Sequence, residues 1–187
     1  MSVNRFTEKS QEALQEAQVL AERRQHQGVD VEHLAAVLLT PPDGLATAVL
    51  SATGASPAAL RQSLGRELDR LPQVSGSGGA GQTYVTPRLA KVLRKAEDEA
   101  KALKDDYTSI EHLLLAMVDD TGAVGKVLRA AGVERESLME ALRKVRGHQR
   151  VTSANPEGTY QALERYGRDL TKLASQGKVD PVIGRDE

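Results

Sequence analysis

The amino-acid sequence predicts an all-α protein made of two tandem, pseudo-twofold repeats of about four helices each. Of its 187 residues, 40% are apolar but only 3% are aromatic. Alanine and leucine, which are strong helix formers, dominate the apolar set, whereas the aromatic residues and isoleucine that favour strands are scarce. The remaining observation that supports this fold class is an internal duplication of the chain.

The duplication covers most of the sequence. The segment Val31–Leu34 (VEHL) recurs 79 residues later as Ile110–Leu113 (IEHL). Further along, Val49–Gly54 matches Val127–Gly132 at an offset of 78, with the same Val, Leu, Ala and Gly positions. Because the matches fall on apolar and glycine positions, they predict that one helical unit of roughly 65 residues is present twice.

Each copy is predicted to contain four helices in the same order. The first helix begins at a threonine N-cap, Thr7 or Thr86. The second follows Asp30 or Ser109 and is apolar nearly all round, so it is expected at the buried centre of its copy. A glycine ends the third helix, and the fourth is long. The third and fourth helices are predicted at Leu45–Thr53 and Gly122–Ala131, and from Ser56 to Leu71 and Glu134 to Arg146.

Shifts in composition predict the domain boundaries. Residues 1–146 are expected to form the helical domain, in which repeat one (1–71) and repeat two (84–146) flank a Gly/Ser linker at 72–83. A second, polar linker is predicted at 147–158. Residues 159–187 are predicted to begin an incomplete further module, because their final extended run has no partner in this chain.

The composition of the chain excludes several classes of function. There is no cysteine, which excludes disulfides, thiol nucleophiles and cysteine-bound metal centres. The net charge of −1 gives no electrostatic basis for nucleic-acid binding. Neither an apolar stretch of about 18 residues nor a signal peptide is present, so we expect no membrane contact and a cytoplasmic location.

The two repeated histidines, His33 and His112, allow two interpretations. Each follows a glutamate at the start of a predicted helix, so it could be a metal ligand or a capping or packing residue. The four histidines have no His-x-x-x-His spacing, and each copy offers one histidine and one carboxylate. The structural role is therefore favoured, and no metal site is predicted.

Two charged clusters also have a functional and a structural interpretation. The acidic residues at 97–99 and 105–106 could pair for acid–base chemistry, but lysines at helical spacing favour a solvated, salt-bridged face. The basic run 143–150 could contact phosphate, but cations are expected at a helix C-terminus from the dipole alone. Neither Gly125-Lys126 nor Gly177-Lys178 belongs to a phosphate-binding loop, so no ATP hydrolysis by this segment is predicted.

Two segments of the chain resemble a known protein family. Residues 160–187 (YQALERYGRDLTKLASQGKVDPVIGRDE) are similar to the entry into the first AAA+ module of Clp-type ATP-dependent unfoldases. The duplicated unit, which starts with FTEKSQEAL at residues 6–14, resembles their N-terminal repeat domain. Within this family the chain looks most similar to the ClpB-type disaggregases.

The resemblance implies a function and partners. Such N-terminal domains bind unfolded or aggregated polypeptide and pass it to a hexameric, ATP-driven threading ring that cooperates with the DnaK chaperone system. The full-length protein is then expected to be a hexamer that uses ATP and magnesium, whereas this segment is expected to be monomeric and to hold no cofactor. The alternative is an adaptor-docking domain of a ClpA- or ClpC-like protease unfoldase.

The resemblance also implies site residues. A shallow apolar groove for polypeptide is expected, with a rim that includes Thr7, Asp105 and Glu111. Lys95 and Glu99 are expected to narrow its apolar part. In the AAA+ segment, the residues that match the family stretch along the adenine of the nucleotide are Val182, Ile183, Gly184 and Arg185.

Overall fold

The computed structural model describes residues 5–74, 83–147 and 149–157, in which eight helices form two repeats. The first repeat contains α1 (Glu8–Arg23), α2 (Val31–Leu39), α3 (Leu45–Ala52) and α4 (Pro57–Arg70). The second contains α5 (Pro87–Ala102), α6 (Ile110–Val118), α7 (Ala123–Ala130) and α8 (Arg135–Arg146). The predicted all-α class and the four helices in each copy are confirmed.

The helix starts follow from capping chemistry. The Thr7 side chain accepts a hydrogen bond from the Ser10 N–H, and the Thr86 side chain accepts one from the Leu89 N–H. Each satisfies a backbone donor that the first turn of a helix leaves free. The prediction that a threonine opens the first helix of each copy is therefore confirmed.

The two repeats share one hydrophobic core. Helices α2 and α6 lie at its centre, and nearly every residue of both is buried. Helix α3 packs against α8 and α4 packs against α7, so each repeat covers part of the other. The core is built of aliphatic side chains with Phe6 as its one aromatic residue among those described. Within the described ranges, no helix is both long and apolar enough to cross a bilayer.

Two short strands depart from the purely helical prediction. Strand β1 (Gly28–Val29) pairs in parallel with β2 (Tyr84–Val85). This pairing joins the segment just before α2 to the segment just before α5. A parallel bridge between Phe6 and Thr108 forms the equivalent link between α1 and α6. Segments this short carry no periodicity that a sequence pattern could reveal. Each pairing brings the start of a first helix beside the start of the central helix of the other repeat.

Residues 149–157 pack on the helical body, although the sequence predicts a polar linker there. Val151 is fully buried, and its N–H and C=O bond to the Asp105 side chain and the Asp106 N–H. Further along, the Ala154 C=O accepts a hydrogen bond from the Glu8 N–H at 2.8 Å. Composition gives no hint of these contacts, because they depend on groups more than forty residues away. The central part of the predicted Gly/Ser linker and the predicted AAA+ segment lie outside the described residues.

Candidate functional site

The fold creates two pseudo-equivalent centres, one at the start of each central helix. We call the one that joins α5 to α2 the Thr86 centre, and the one that joins α1 to α6 the Thr7 centre. In the Thr86 centre, Asp30 Oδ1 accepts hydrogen bonds from the Thr86 hydroxyl at 2.9 Å and from the Val31 N–H at 2.8 Å. In the Thr7 centre the same two donors are the Thr7 hydroxyl and the Ile110 N–H.

A single arginine, Arg88, binds the acidic side chains of the Thr86 centre. Arg88 bonds to Glu32 at 2.7 Å, to Asp120 at 3.0 and 3.1 Å, and to Asp30 at 3.3 Å. Burial opposes the charge on the guanidinium, but the hydrogen bonds that Arg88 donates to Asp120 and Glu32, together with the nearby carboxylates, raise the pKa of Arg88. One guanidinium thus pairs with three acidic groups, and the centre is a structural ion network between the repeats.

The Thr7 centre is closed in a different way. Ser109 stands where Asp30 stands in the other centre, so no carboxylate comes from the start of α6 itself. Glu157 supplies one: its Oε1 accepts from the Thr7 hydroxyl at 2.5 Å and from the Ile110 N–H at 3.3 Å. Burial, with a contribution from Glu111, raises the pKa of the Glu157 carboxyl, although its hydrogen bonds oppose the shift.

Asp105 and Glu111 belong to a buried network beside Glu157. Asp105 is bonded to His112 Nε2 at 2.8 Å, to the Val151 N–H at 2.9 Å and to the Arg146 guanidinium. Arg146 also reaches Glu111 at 3.4 Å. Burial disfavours the Asp105 carboxylate, but these hydrogen bonds outweigh it and lower its pKa to about 2. These contacts therefore favour the ionised form of the Asp105 side chain.

His33 and His112 cap their helices, which is the structural role that the sequence favours. Nδ1 of His33 accepts from the Asp30 N–H at 2.9 Å, and Nδ1 of His112 accepts from the Ser109 N–H at 2.8 Å. Their Nε2 atoms face different partners, since His33 meets His26 at 2.8 Å whereas His112 meets Asp105. Burial and the neighbouring His26 lower the pKa of His33 to about 4. No group of side chains suited to a metal ion occurs within the described ranges.

An apolar cleft of about 230 Å³ opens next to the Thr7 centre. Its floor is made of aliphatic residues from α1, α2, α3 and the start of α6, and charged side chains form its rim. The floor residues are Ala13, Val37, Leu38, Leu45, Ala46 and Ile110, and the exposed charged residues of the rim are Lys9, Glu12, Glu16 and Asp43. Glu157 also lines the cleft but is buried. Such a cleft can accept small aliphatic side chains but offers no aromatic stacking.

The structure brings the three predicted rim residues into one connected cluster, but it buries all of them. Thr7 is 0% exposed, Glu111 1% and Asp105 8%. Sequence reasoning missed Arg146 and Glu157, which cover these side chains. No sequence signal points to Glu157, because its partners lie 47 and 150 residues away along the chain.

The expectation of a wholly solvated acidic face is wrong at two positions. Glu99 is buried and forms two hydrogen bonds with Arg135, at 2.5 and 2.7 Å, and Asp105 is buried in the network described above. Helical spacing identifies neighbours on the same helix, whereas Arg135 comes from α8. Lys95 pairs with Asp119 at 2.6 Å. Neither Lys95 nor Glu99 lines the cleft beside Thr7, so neither narrows it.

A second cleft, of about 540 Å³, lies between α4 and α7. It combines small apolar residues such as Ala59 and Val127 with Glu67, Arg70 and Lys126. Although it is larger, it does not touch any of the predicted site residues. The cleft beside the Thr7 centre is therefore the candidate site.

Comparison with known proteins identifies the class to which this repeat fold belongs. Residues 5–131 match the family described as the Clp repeat (R) N-terminal domain, and the chain belongs to that family. A chaperone protein ClpB from Nitratidesulfovibrio vulgaris is 49% identical over 189 residues, and one from Bacillus anthracis is 44% identical over 187 residues. Both alignments include 100% of this chain but only 22% of the relative, so the chain spans about a fifth of their length.

Solved structures show the same fold. The N-terminal domain of Hsp104 from Candida albicans superposes with a TM-score of 0.71 at 19% identity, covering 81% of this chain and 98% of that one. A ClpV N-domain in complex with a VipB peptide gives a TM-score of 0.63 at 19% identity and covers 81% and 91%. The N-terminal domain of the caseinolytic protease associated chaperone ClpD from Arabidopsis thaliana gives 0.57 at 22% identity and covers 79% and 98%.

Proposed function

We propose that this chain is the substrate-binding N-terminal domain of a ClpB-type chaperone. In this role it binds unfolded or aggregated polypeptide and delivers it to a hexameric threading ring formed by the rest of the protein. The observation that carries the proposal is the aliphatic cleft with a charged rim beside the Thr7 centre. Substrates that vary in sequence share only apolar side chains and free backbone, which a shallow aliphatic cleft can engage weakly.

Two comparisons support the proposal. The ClpB relatives align with the whole chain at 44–49% identity, which favours this function over adaptor docking in a ClpA- or ClpC-like unfoldase. The ClpV N-domain, which has the same fold, forms a complex with a peptide. Weak binding suits a domain that must release its substrate to a pore.

The remaining roles belong to the full-length protein. We propose that it is a cytoplasmic ATPase that uses ATP and magnesium and cooperates with the DnaK system. This segment has no phosphate-binding loop, and we propose that it does not hydrolyse ATP by itself. The proposed adenine-contact residues Val182, Ile183, Gly184 and Arg185 lie outside the described residues and stay a sequence prediction.

An NMR titration of the chain with a permanently unfolded protein tests the proposal. We expect the largest shifts at Ala13, Val37, Leu38 and Ile110. Val37→Thr keeps the side-chain shape but places a hydroxyl in the cleft, so it should weaken binding several-fold. The matched control is Val127→Thr in the α4–α7 cleft, which should leave affinity unchanged.

Two outcomes contradict the proposal. Shifts confined to the α4–α7 cleft, with Val127→Thr as the weaker binder, would move the binding site there. If the parent chain and both valine variants all fail to bind the unfolded protein, the adaptor-docking alternative becomes the better explanation. Circular dichroism of both variants shows whether the fold is retained.

A further inference from the structure

Residues 149–157 cover the Thr7 centre as a continuous strap. Asp106 and Glu8 donate backbone hydrogen bonds to the C=O groups of Val151 and Ala154, each at 2.8 Å. Within the strap, Glu157 is 1% exposed and bonded to the Thr7 hydroxyl and the Ile110 N–H. The segment lies outside both repeats, yet it seals the point where they meet beside the apolar cleft.

Comparison of the two pseudo-equivalent centres shows that Glu157 of the strap replaces a carboxylate. In the Thr86 centre the carboxylate on the threonine hydroxyl and the first helical N–H belongs to Asp30, a residue of the repeat itself. In the Thr7 centre the equivalent position is Ser109, and Glu157 takes the place of the missing carboxylate. The carboxylate of the Thr86 centre is therefore fixed by the repeat itself, whereas that of the Thr7 centre belongs to a segment outside both repeats.

The contacts of Glu157 make this closure weak. Its Oε2 atom and Oε2 of Glu111 are both buried without a hydrogen-bond partner within the described part of the chain. Arg146 pairs with Glu111 and Asp105, and among the described residues no ion pair includes Glu157. An unpaired buried carboxylate is expensive, and this cost offsets much of what its two hydrogen bonds contribute. Oε2 of Glu32 in the Thr86 centre is likewise buried without a partner among the described residues, but there Arg88 pairs with each of the three carboxylates.

We propose that residues 149–157 form an intramolecular gate, in which Glu157 holds the Thr7 end of the cleft closed and polypeptide binds after the strap is released. This inference rests on the proposed function, because it concerns the same cleft. It adds that the free domain is self-inhibited. The apparent affinity for polypeptide is then reduced by the fraction of molecules in which the strap is open.

The test compares Glu157→Ala with Glu140→Ala in the full 187-residue chain. Glu140 is an exposed glutamate on α8, so its variant makes the same change of charge and size without touching the strap. Fluorescence anisotropy with a labelled, permanently unfolded protein measures affinity. We expect Glu157→Ala to bind roughly three- to tenfold more tightly, because more molecules are open, and Glu140→Ala to match the parent chain. Equal or weaker binding by a folded Glu157→Ala variant would overturn the proposal.

A second measurement needs no substrate. Amide hydrogen exchange at Val151 and Asp106 reports the hydrogen bonds that hold the strap, and exchange at Thr86, whose N–H bonds to the Val29 C=O, serves as a reference in the other centre. Glu157→Ala should speed exchange at the first two amides and leave Thr86 unchanged. Unchanged exchange at Val151 and Asp106 would refute the gate even if polypeptide binds. If polypeptide fails to bind in any variant, the proposed function fails while the exchange result still decides the gate.

Discussion

At the scale of single residues, the two repeats use the same capping histidine with different partners. His33 Nδ1 accepts the Asp30 N–H, so the proton of the neutral ring lies on Nε2 and is donated to His26. His112 is capped in the same way but donates to the Asp105 carboxylate. Burial and the contact with His26 disfavour a charged imidazole on His33, whereas the hydrogen bond from His112 favours the ionised carboxylate of Asp105.

The histidine pair predicts an acid-sensitive contribution to stability. The pKa of His33 is about 4 in the folded protein, below its ordinary value of 6.5. As the pH falls from 6.5 to 4, the unfolded chain therefore takes up this proton first and the free energy of unfolding declines, by up to about 3 kcal/mol. His33→Gln keeps a capping side chain but cannot titrate, so it should remove this pH dependence. Urea unfolding at several pH values checks the expectation, and an unchanged slope in the variant would contradict it.

Backbone conformation at Lys104 allows a stabilising substitution. Lys104 has φ of 59°, in the left-handed region that favours glycine, and its pseudo-equivalent Gln25 has φ of 58°. Lys104→Gly should therefore raise the free energy of unfolding by about 1 kcal/mol. Lys101→Gly, within the last turn of α5, should lower it by about 1 kcal/mol. Thermal unfolding of both variants measures the difference, and equal effects of the two glycines would be inconsistent with relief of strain.

At the scale of elements, helix α7 depends on a glycine that the sequence presents only as one member of a Gly-Lys pair. A Cβ atom at Gly125 would lie 1.8 Å from the Asp120 carbonyl oxygen, so the backbones meet too closely for a side chain. The Gly125 N–H also lies 3.4 Å from Asp120 Oδ2. This close approach brings the start of α7 against the end of α6, where Asp120 binds Arg88.

Gly125→Ala should therefore destabilise the protein despite the better helix propensity of alanine. We expect a loss of about 3 kcal/mol, the upper end for overpacking, because the obstacle is backbone. Gly65→Ala in α4 is the matched control, since apart from the backbone of its own helix nothing lies within 4 Å of its Cβ position. It should gain about 1 kcal/mol from propensity alone. Chemical denaturation of both variants checks this, and a stabilised Gly125→Ala would show that the helix can move away.

At the scale of the whole molecule, the two repeats form one core and are joined by an ion network on one side and by the strap on the other. Arg88 comes from the second repeat, and its partners Asp30 and Glu32 come from the first. Because the core is common to both repeats, we expect unfolding in one cooperative step.

Removing Arg88 should weaken the entire domain. Arg88→Met leaves three acidic groups without their cation, and we expect a loss of about 3 kcal/mol in the free energy of unfolding. Arg94→Met, at an exposed position of the same helix, should change it by less than about 0.5 kcal/mol. Adding Glu32→Gln to Arg88→Met should restore part of the loss. Guanidinium unfolding measures all three, and a loss below about 1 kcal/mol for Arg88→Met would show that the acids are solvated.

Local sequence patterns are sufficient to predict the helices, their caps and the duplication. These features depend on local patterns: apolar spacing, threonine N-caps, and glycines such as Gly54 and Gly132, whose φ values are 93° and 83°. How the two repeats meet depends instead on contacts between distant parts of the fold. The short parallel pairings, the Arg135 partner of Glu99 and the Glu157 partner of Thr7 all join distant parts of the chain. Periodicity describes the face of one helix, whereas burial and charge pairing depend on which faces the fold brings together. For this reason the sequence does not reveal that Glu157, in a segment whose composition predicts a linker, covers the predicted rim residue Thr7.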